Sequence, residues 1–178
     1  MMTLEDWLRE NEEAVVRRWL EGVLATYGDD ASALFRREKN AFANPVGHNL
    51  RKGTRGIFEA LLAGMDSEKI RQHVYEIVKV RAVQEFSASG AVGFVFPLKE
   101  AIRAELGKAA EDPKFASELT EIERNIDRIA LVAFDVFVQC REQVYELRAN
   151  ELRRRVSWIV EKINQRDPDP ELARIELE

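Results

Sequence analysis

Hydrophobic residues recur at threes and fours along most of the chain, the spacing of one buried helical stripe. From about Thr3 to Thr26, the residues Trp7, Leu8, Ala14, Val15, Trp19, Leu20, Val23 and Leu24 predict a single helix. Thr3, three residues ahead of Asp6, supplies its start. Gly28 and the pair Asp29-Asp30 end that helix and open a short one through Phe35. The stretch Phe42-Ala-Asn-Pro-Val-Gly47 predicts a turn, because Pro45 forbids helix propagation through Asn44. A third helix carries Leu50, Ile57, Phe58, Leu61 and Leu62 inward and closes at Gly64. Asp66 or Ser67 caps a fourth, with Ile70, Val74, Ile77, Val78, Val80 and Val83. Ser87 to Ser89 start the next helix, which runs to Gly107 and is kinked or divided at Pro97. Only Val92-Gly-Phe-Val-Phe96 resembles a strand, and it is too short to support a sheet.

The last segment carries the most information. From about Pro113 to Arg166 there is no internal glycine or proline, so one very long helix, or two joined end to end, is allowed. Its stretch Ile129 to Val138 is apolar nearly all round, which predicts a position in the middle of a bundle, covered on several sides. After Leu147 the pattern narrows to Leu152, Val156, Ile159 and Ile163, spaced four, three and four. Such a seam suits a contact between two helices. It predicts dimerisation or docking on a partner, with folding back on its own domain as the alternative. The expected divisions are 1–147 for a helical domain, 148–166 for a helix extension and 167–178 for an acidic tail.

Composition narrows the class. The chain has 178 residues, 46% hydrophobic and 33% charged, as expected of an ordinary globular protein. One cysteine, Cys140, rules out an internal disulfide framework and a multi-cysteine zinc site. Net charge is −5, of which the tail from Asp167 to Glu178 contributes −4, so the body is nearly neutral. The only local basic cluster, Arg153, Arg154 and Arg155, lies close to Glu151 and Glu161. A phosphate backbone calls for a concentrated positive field, so no nucleic-acid partner is expected. No stretch reaches the apolar length of a membrane span, and the N-terminus lacks the pattern of a signal peptide, which predicts a cytoplasmic protein.

Catalytic chemistry is sparse. No Glu-x-x-His motif, phosphate-binding glycine loop or nucleophile elbow is present, so no enzyme activity, metal or cofactor is expected. His73, among Arg71, Gln72 and Glu76, reads as a surface residue rather than a haem ligand. His48, at a helix start, reads as a partly buried ring bonded to backbone. Cys140 reads as a small buried apolar residue: Arg141 points about 100° away on a helix, and no histidine is near in sequence. Polar groups inside apolar runs are more informative. Arg81, Gln84, Asp135 and Arg141 predict either a buried network that fixes helix register or the lining of a pocket for a small polar ligand.

Three stretches together resemble a known family. They are Phe42-Ala-Asn-Pro-Val-Gly-His-Asn-Leu-Arg51 with Phe58-Glu-Ala-Leu-Leu62; Val80-Arg-Ala-Val-Gln-Glu-Phe-Ser87 with Ala91-Val-Gly-Phe-Val-Phe96; and Ala133-Phe-Asp-Val-Phe137 with Cys140-Arg-Glu142 and Tyr145-Glu-Leu-Arg148. In this order they resemble the N-terminal domain of RsbRD, a co-antagonist of the RsbT switch kinase. The resemblance implies an all-α, globin-like helical bundle without haem that dimerises and passes a stress-response signal through its C-terminal helix into a STAS domain. Too little chain follows that helix for a STAS domain, so output through a separate STAS- or kinase-type protein is expected. The alternatives are a globin relative that binds haem or another small molecule, and a dimeric adaptor with no ligand.

Overall fold

The computed structural model describes residues 2–37, 42–84 and 86–166, and among them every regular element is helical. The helices are α1 (Leu4–Glu10), α2 (Glu12–Leu24), α3 (Asp29–Arg37), α4 (Pro45–Leu62), α5 (Ser67–Val83), α6 (Ala88–Val92), α7 (Pro97–Leu106) and α8 (Pro113–Arg166). Short 3-10 turns at Gly93–Val95 and Gly107–Glu111 flank α7. The chain divides into two compact units, Met1–Cys140 and Arg141–Glu178. The acidic tail expected at 167–178 lies outside the described residues.

Local chemistry explains the boundaries. Thr3 forms a reciprocal cap: its hydroxyl accepts from the Asp6 amide at 3.1 Å, and its own amide donates to the Asp6 carboxylate at 3.0 Å. The single helix expected from Thr3 to Thr26 is two, because Asn11 leaves helical geometry and its side-chain amide donates to the Trp7 carbonyl at 2.8 Å. The Trp7 carbonyl also accepts from the Asn11 backbone amide at 3.0 Å, so two bonds from Asn11 close the end of α1. The Asn44-Pro45 turn is itself the start of α4. Asn44 accepts from the Gly47 amide at 2.8 Å, and Pro45 takes the first helical position, where a missing N–H is harmless.

Pro97 divides the segment from Ser87 to Gly107, as its sequence requires. Val92–Phe96 is helical and 3-10 backbone, so the strand-like reading of that stretch is set aside. The Trp19 indole donates to the Phe94 carbonyl at 2.7 Å. The 3-10 partner of that carbonyl would be Pro97, which has no N–H, so a buried tryptophan fills the vacant donor role.

The hydrophobic core belongs to the first unit and includes Leu8, Trp19, Ile57, Phe58, Ile77, Phe94, Leu98 and Ile129, all buried. Helices α4 and α5 pack closely because α4 offers glycines. A Cβ on Gly53 would lie 2.7 Å from the Ile77 side chain, and one on Gly56 would overlap the His73 imidazole. His73 is therefore half-buried against α4 rather than solvated among its charged neighbours, a correction to its sequence reading. Ile77 is fully enclosed and cannot swing aside. Gly53→Ala is expected to lower stability by about 1–2 kcal/mol in urea unfolding, overpacking outweighing the helix-propensity gain.

The N-terminal part of α8 is fixed by polar links. Glu118 accepts from the Leu4 amide at 2.7 Å, Asp127 pairs with Lys99 at 2.6 Å, Glu123 with Arg103 at 2.5 Å, and Gln139 accepts from Arg71 at 2.6 Å. Its stretch Ile129 to Val138 is not covered on several sides. Ile129, Ala130, Ala133, Val136 and Phe137 are buried, whereas Leu131 is 67% exposed, with Phe134 and Val138 also open. Residues spaced three and four apart bury one stripe, and the apolar residues between them remain on the outer surface.

Candidate functional site

Arg81 is the one fully buried charged side chain among the described residues. It stands on the last turn of α5, where helical spacing turns it inward with Val74, Ile77 and Val78. Its Nε donates to the Tyr27 hydroxyl at 3.1 Å, Nη1 to the Gly90 carbonyl at 2.8 Å and Nη2 to the Thr26 hydroxyl at 3.0 Å. Three rings surround the guanidinium, with centroids at 4.9 Å for Tyr27, 5.0 Å for Phe86 and 5.3 Å for Phe94. Tyr27 also meets Phe35 and Phe86 edge to face. No carboxylate among the described residues pairs with Arg81. Burial pushes its pKa below the ordinary arginine value, an effect the Tyr27 hydroxyl opposes. An arginine stays charged even so, and the ring faces and oxygen acceptors offset part of its desolvation.

The other candidates do not join Arg81 in a buried network. Gln84 is exposed at the end of α5, and Asp135 is exposed on α8 beside Leu131, Phe134 and Val138. The expectation of a buried Asp135 is corrected: the carboxylate lies in the outward stripe of an apolar helix and keeps its water. Arg141 opens the second unit and is half-buried, its Nη2 donating to the Tyr145 hydroxyl at 2.7 Å. Arg81 is instead completed by Thr26, Tyr27, Phe86, Gly90 and Phe94. Thr26 and Tyr27 lie more than fifty residues away, beyond the reach of any periodicity.

The remaining candidates fall into place individually. His48 is exposed, not partly buried as expected, because α4 begins at Pro45 and turns it outward. Cys140 is buried, and desolvation raises its thiol pKa against a small opposing pull from Lys79. Fewer thiolates at neutral pH mean slow labelling. Native Cys140 is expected to react with an aromatic disulfide reagent about tenfold or more slowly than the unfolded chain. Among the described residues no group of three or more His, Cys, Asp or Glu side chains could hold a metal ion, and no helix is long and apolar enough to cross a membrane.

The residues of the expected seam lie on the second unit. Leu152, Val156, Ile159 and Ile163 are between 49% and 63% exposed, and Tyr145 is also open. Tyr145, Leu152 and Ile159 are seven apart, as are Ala149, Val156 and Ile163. These two sets are the alternating core positions of a heptad repeat. Arg141, Arg148, Arg155 and Lys162 form a third seven-residue row along one edge of the seam.

Among curated proteins and among solved structures, none matches the chain. The family described as the RsbT co-antagonist protein rsbRD N-terminal domain matches residues 13–152, a span that holds all eight helices in part or whole except α1. The three stretches that carry the resemblance, the all-helical fold and this match agree, and the chain belongs to the RsbRD N-terminal domain family, a family of regulatory, sensor-like domains.

Proposed function

We propose that this chain is a non-enzymatic regulatory module of the cytoplasm whose last helix pairs with the same helix of a second copy. The pairing presents a signal to a separate STAS- or kinase-type protein. One observation carries the reading: an apolar heptad seam on α8 that the chain leaves open to solvent. Leaving four half-exposed aliphatic side chains uncovered forgoes about 1 kcal/mol each, so the seam favours a covering surface. Family membership supports a sensory role.

The edge row favours a parallel pair. In a parallel dimer Arg141 faces Glu146 of the second copy, an attractive contact, while Arg148 faces Arg153, a repulsive one. In an antiparallel dimer the rows Arg148, Arg155 and Lys162 confront each other, and every contact within that row repels. A signal acts on such a module only by binding two helix arrangements with different affinity. Native mass spectrometry of the purified chain tests the proposal. Twice the 20.5 kDa chain mass is expected, and a monomer at micromolar concentration contradicts it.

A further inference from the structure

The seam does not use all of the apolar surface on the second unit. Leu147 is 66% and Trp158 59% exposed. At about 100° per residue, both lie roughly 140–160° around the helix from the centre of the seam. They occupy the outer positions of the heptad, which a two-helix coil leaves uncovered. Eleven residues separate them, so they stand three turns and about 16 Å apart along one face. Glu151, Arg154 and Arg155 line the shallow depression between them.

Basic residues outnumber acidic ones on this face, which also holds Glu151 and Glu161. Arg148, Arg154, Arg155 and Lys162 stand on it or on its border with the seam, against Glu151, whose carboxylate is tied to Arg155. Lys162 holds its ammonium 4.5 Å from the Trp158 ring centroid, which adds positive charge to the aromatic surface. An exposed tryptophan beside several arginines is the composition from which interface hot spots are made.

We propose that the Leu147–Trp158 face is a second docking surface, separate from the self-pairing seam, that takes an acidic amphipathic helix of another protein. Apolar side chains of that helix sit on Leu147 and Trp158, and its carboxylates meet the arginines. Charge complementarity selects this occupant. A second copy would bring the same cations against these and be repelled. A lipid surface calls for a broad apolar face with basic flanks, whereas this one has two apolar anchors with Glu151 between them and Glu161 nearby. A laid-down helix reaches both anchors, since three turns of a second helix span the same distance.

The test uses the full chain and a fluorescently labelled helical peptide in which leucines at three- and four-residue spacing are flanked by glutamates. Fluorescence anisotropy should show saturable binding that weakens with salt. Trp158→Ala should weaken it by about tenfold or more, and Arg154→Glu with Arg155→Glu should do the same. Circular dichroism and sedimentation of Trp158→Ala should match the parent chain. The proposal is overturned by absence of peptide binding, or by equal binding to Trp158→Ala. It is also overturned if Trp158→Ala turns a dimer into a monomer, since the face would then belong to the seam. Co-sedimentation with phosphatidylserine vesicles, without peptide binding, would assign the face to a membrane instead.

Discussion

Arg81→Ala lowers the free energy of unfolding by about 3 kcal/mol or more, the sum of a cavity and of partners left without a donor. The side chain is fully buried, so truncation opens a void among Tyr27, Phe86 and Phe94. The Tyr27 and Thr26 hydroxyls and the Gly90 carbonyl lose their donor together. Arg81→Met separates these contributions. Methionine fills much of the volume and removes a guanidinium that is buried with no carboxylate partner among the described residues, so its loss should be about half that of alanine. Urea unfolding followed by circular dichroism measures both. Equal losses would assign the whole effect to the hydrogen bonds. A negligible loss for Arg81→Ala would show that the aromatic enclosure does not hold α2, α5 and α6 together.

Val156→Glu with Ile159→Glu has the opposite character, a large effect on association and little on the fold. Both residues are about half exposed in the single chain. Paired across a two-fold axis, the new carboxylates oppose each other in two consecutive layers. Like charges at that range cost several kcal/mol, which raises the dimer dissociation constant by about a thousandfold. Sedimentation equilibrium reads the loss of the dimer. The thermal transition of the first unit should be unmoved when measured at a concentration where both proteins are monomeric. A variant that unfolds the first unit would mean that the seam residues support the core.

Much of the fold was legible because helical periodicity is a local signal. Pro45, Pro97, Gly64 and Asp66 fix element boundaries by backbone chemistry, and the structure follows them to within a few residues. The break at Asn11 is invisible in the pattern because the apolar stripe continues through it; an asparagine side chain bonded to a backbone carbonyl leaves no trace in hydropathy. The reading of Ile129 to Val138 failed for a related reason. An all-apolar run says that water is disfavoured on every side, not which side the chain itself covers. Asp135 marked the exposed side, and its burial was inferred from neighbours in sequence that face elsewhere. Arg81 stood out as a charge on an apolar face, but two of its partners, Thr26 and Tyr27, come from a turn far away in sequence. The helical stripe of Leu152, Val156, Ile159 and Ile163 was legible and its side chains are exposed, since a narrow four-three-four stripe depends on nothing beyond its own helix.

Disulfide trapping within that seam tests the central claim most directly. In a Cys140→Ala background, Ile163→Cys and Ala149→Cys each place one thiol at a core position of the heptad. In a parallel, in-register pair, equivalent core positions face each other at a separation a disulfide can bridge. Each variant alone is therefore expected to form a covalent dimer rapidly on mild oxidation, and the Val156→Glu, Ile159→Glu double substitution should abolish both. Cross-linking of Ile163→Cys only when it is mixed with a further variant, Tyr145→Cys, would mean antiparallel pairing, in which core positions of the two different sets face each other. No cross-linking in either variant alone or in the mixture would contradict self-association through the last helix.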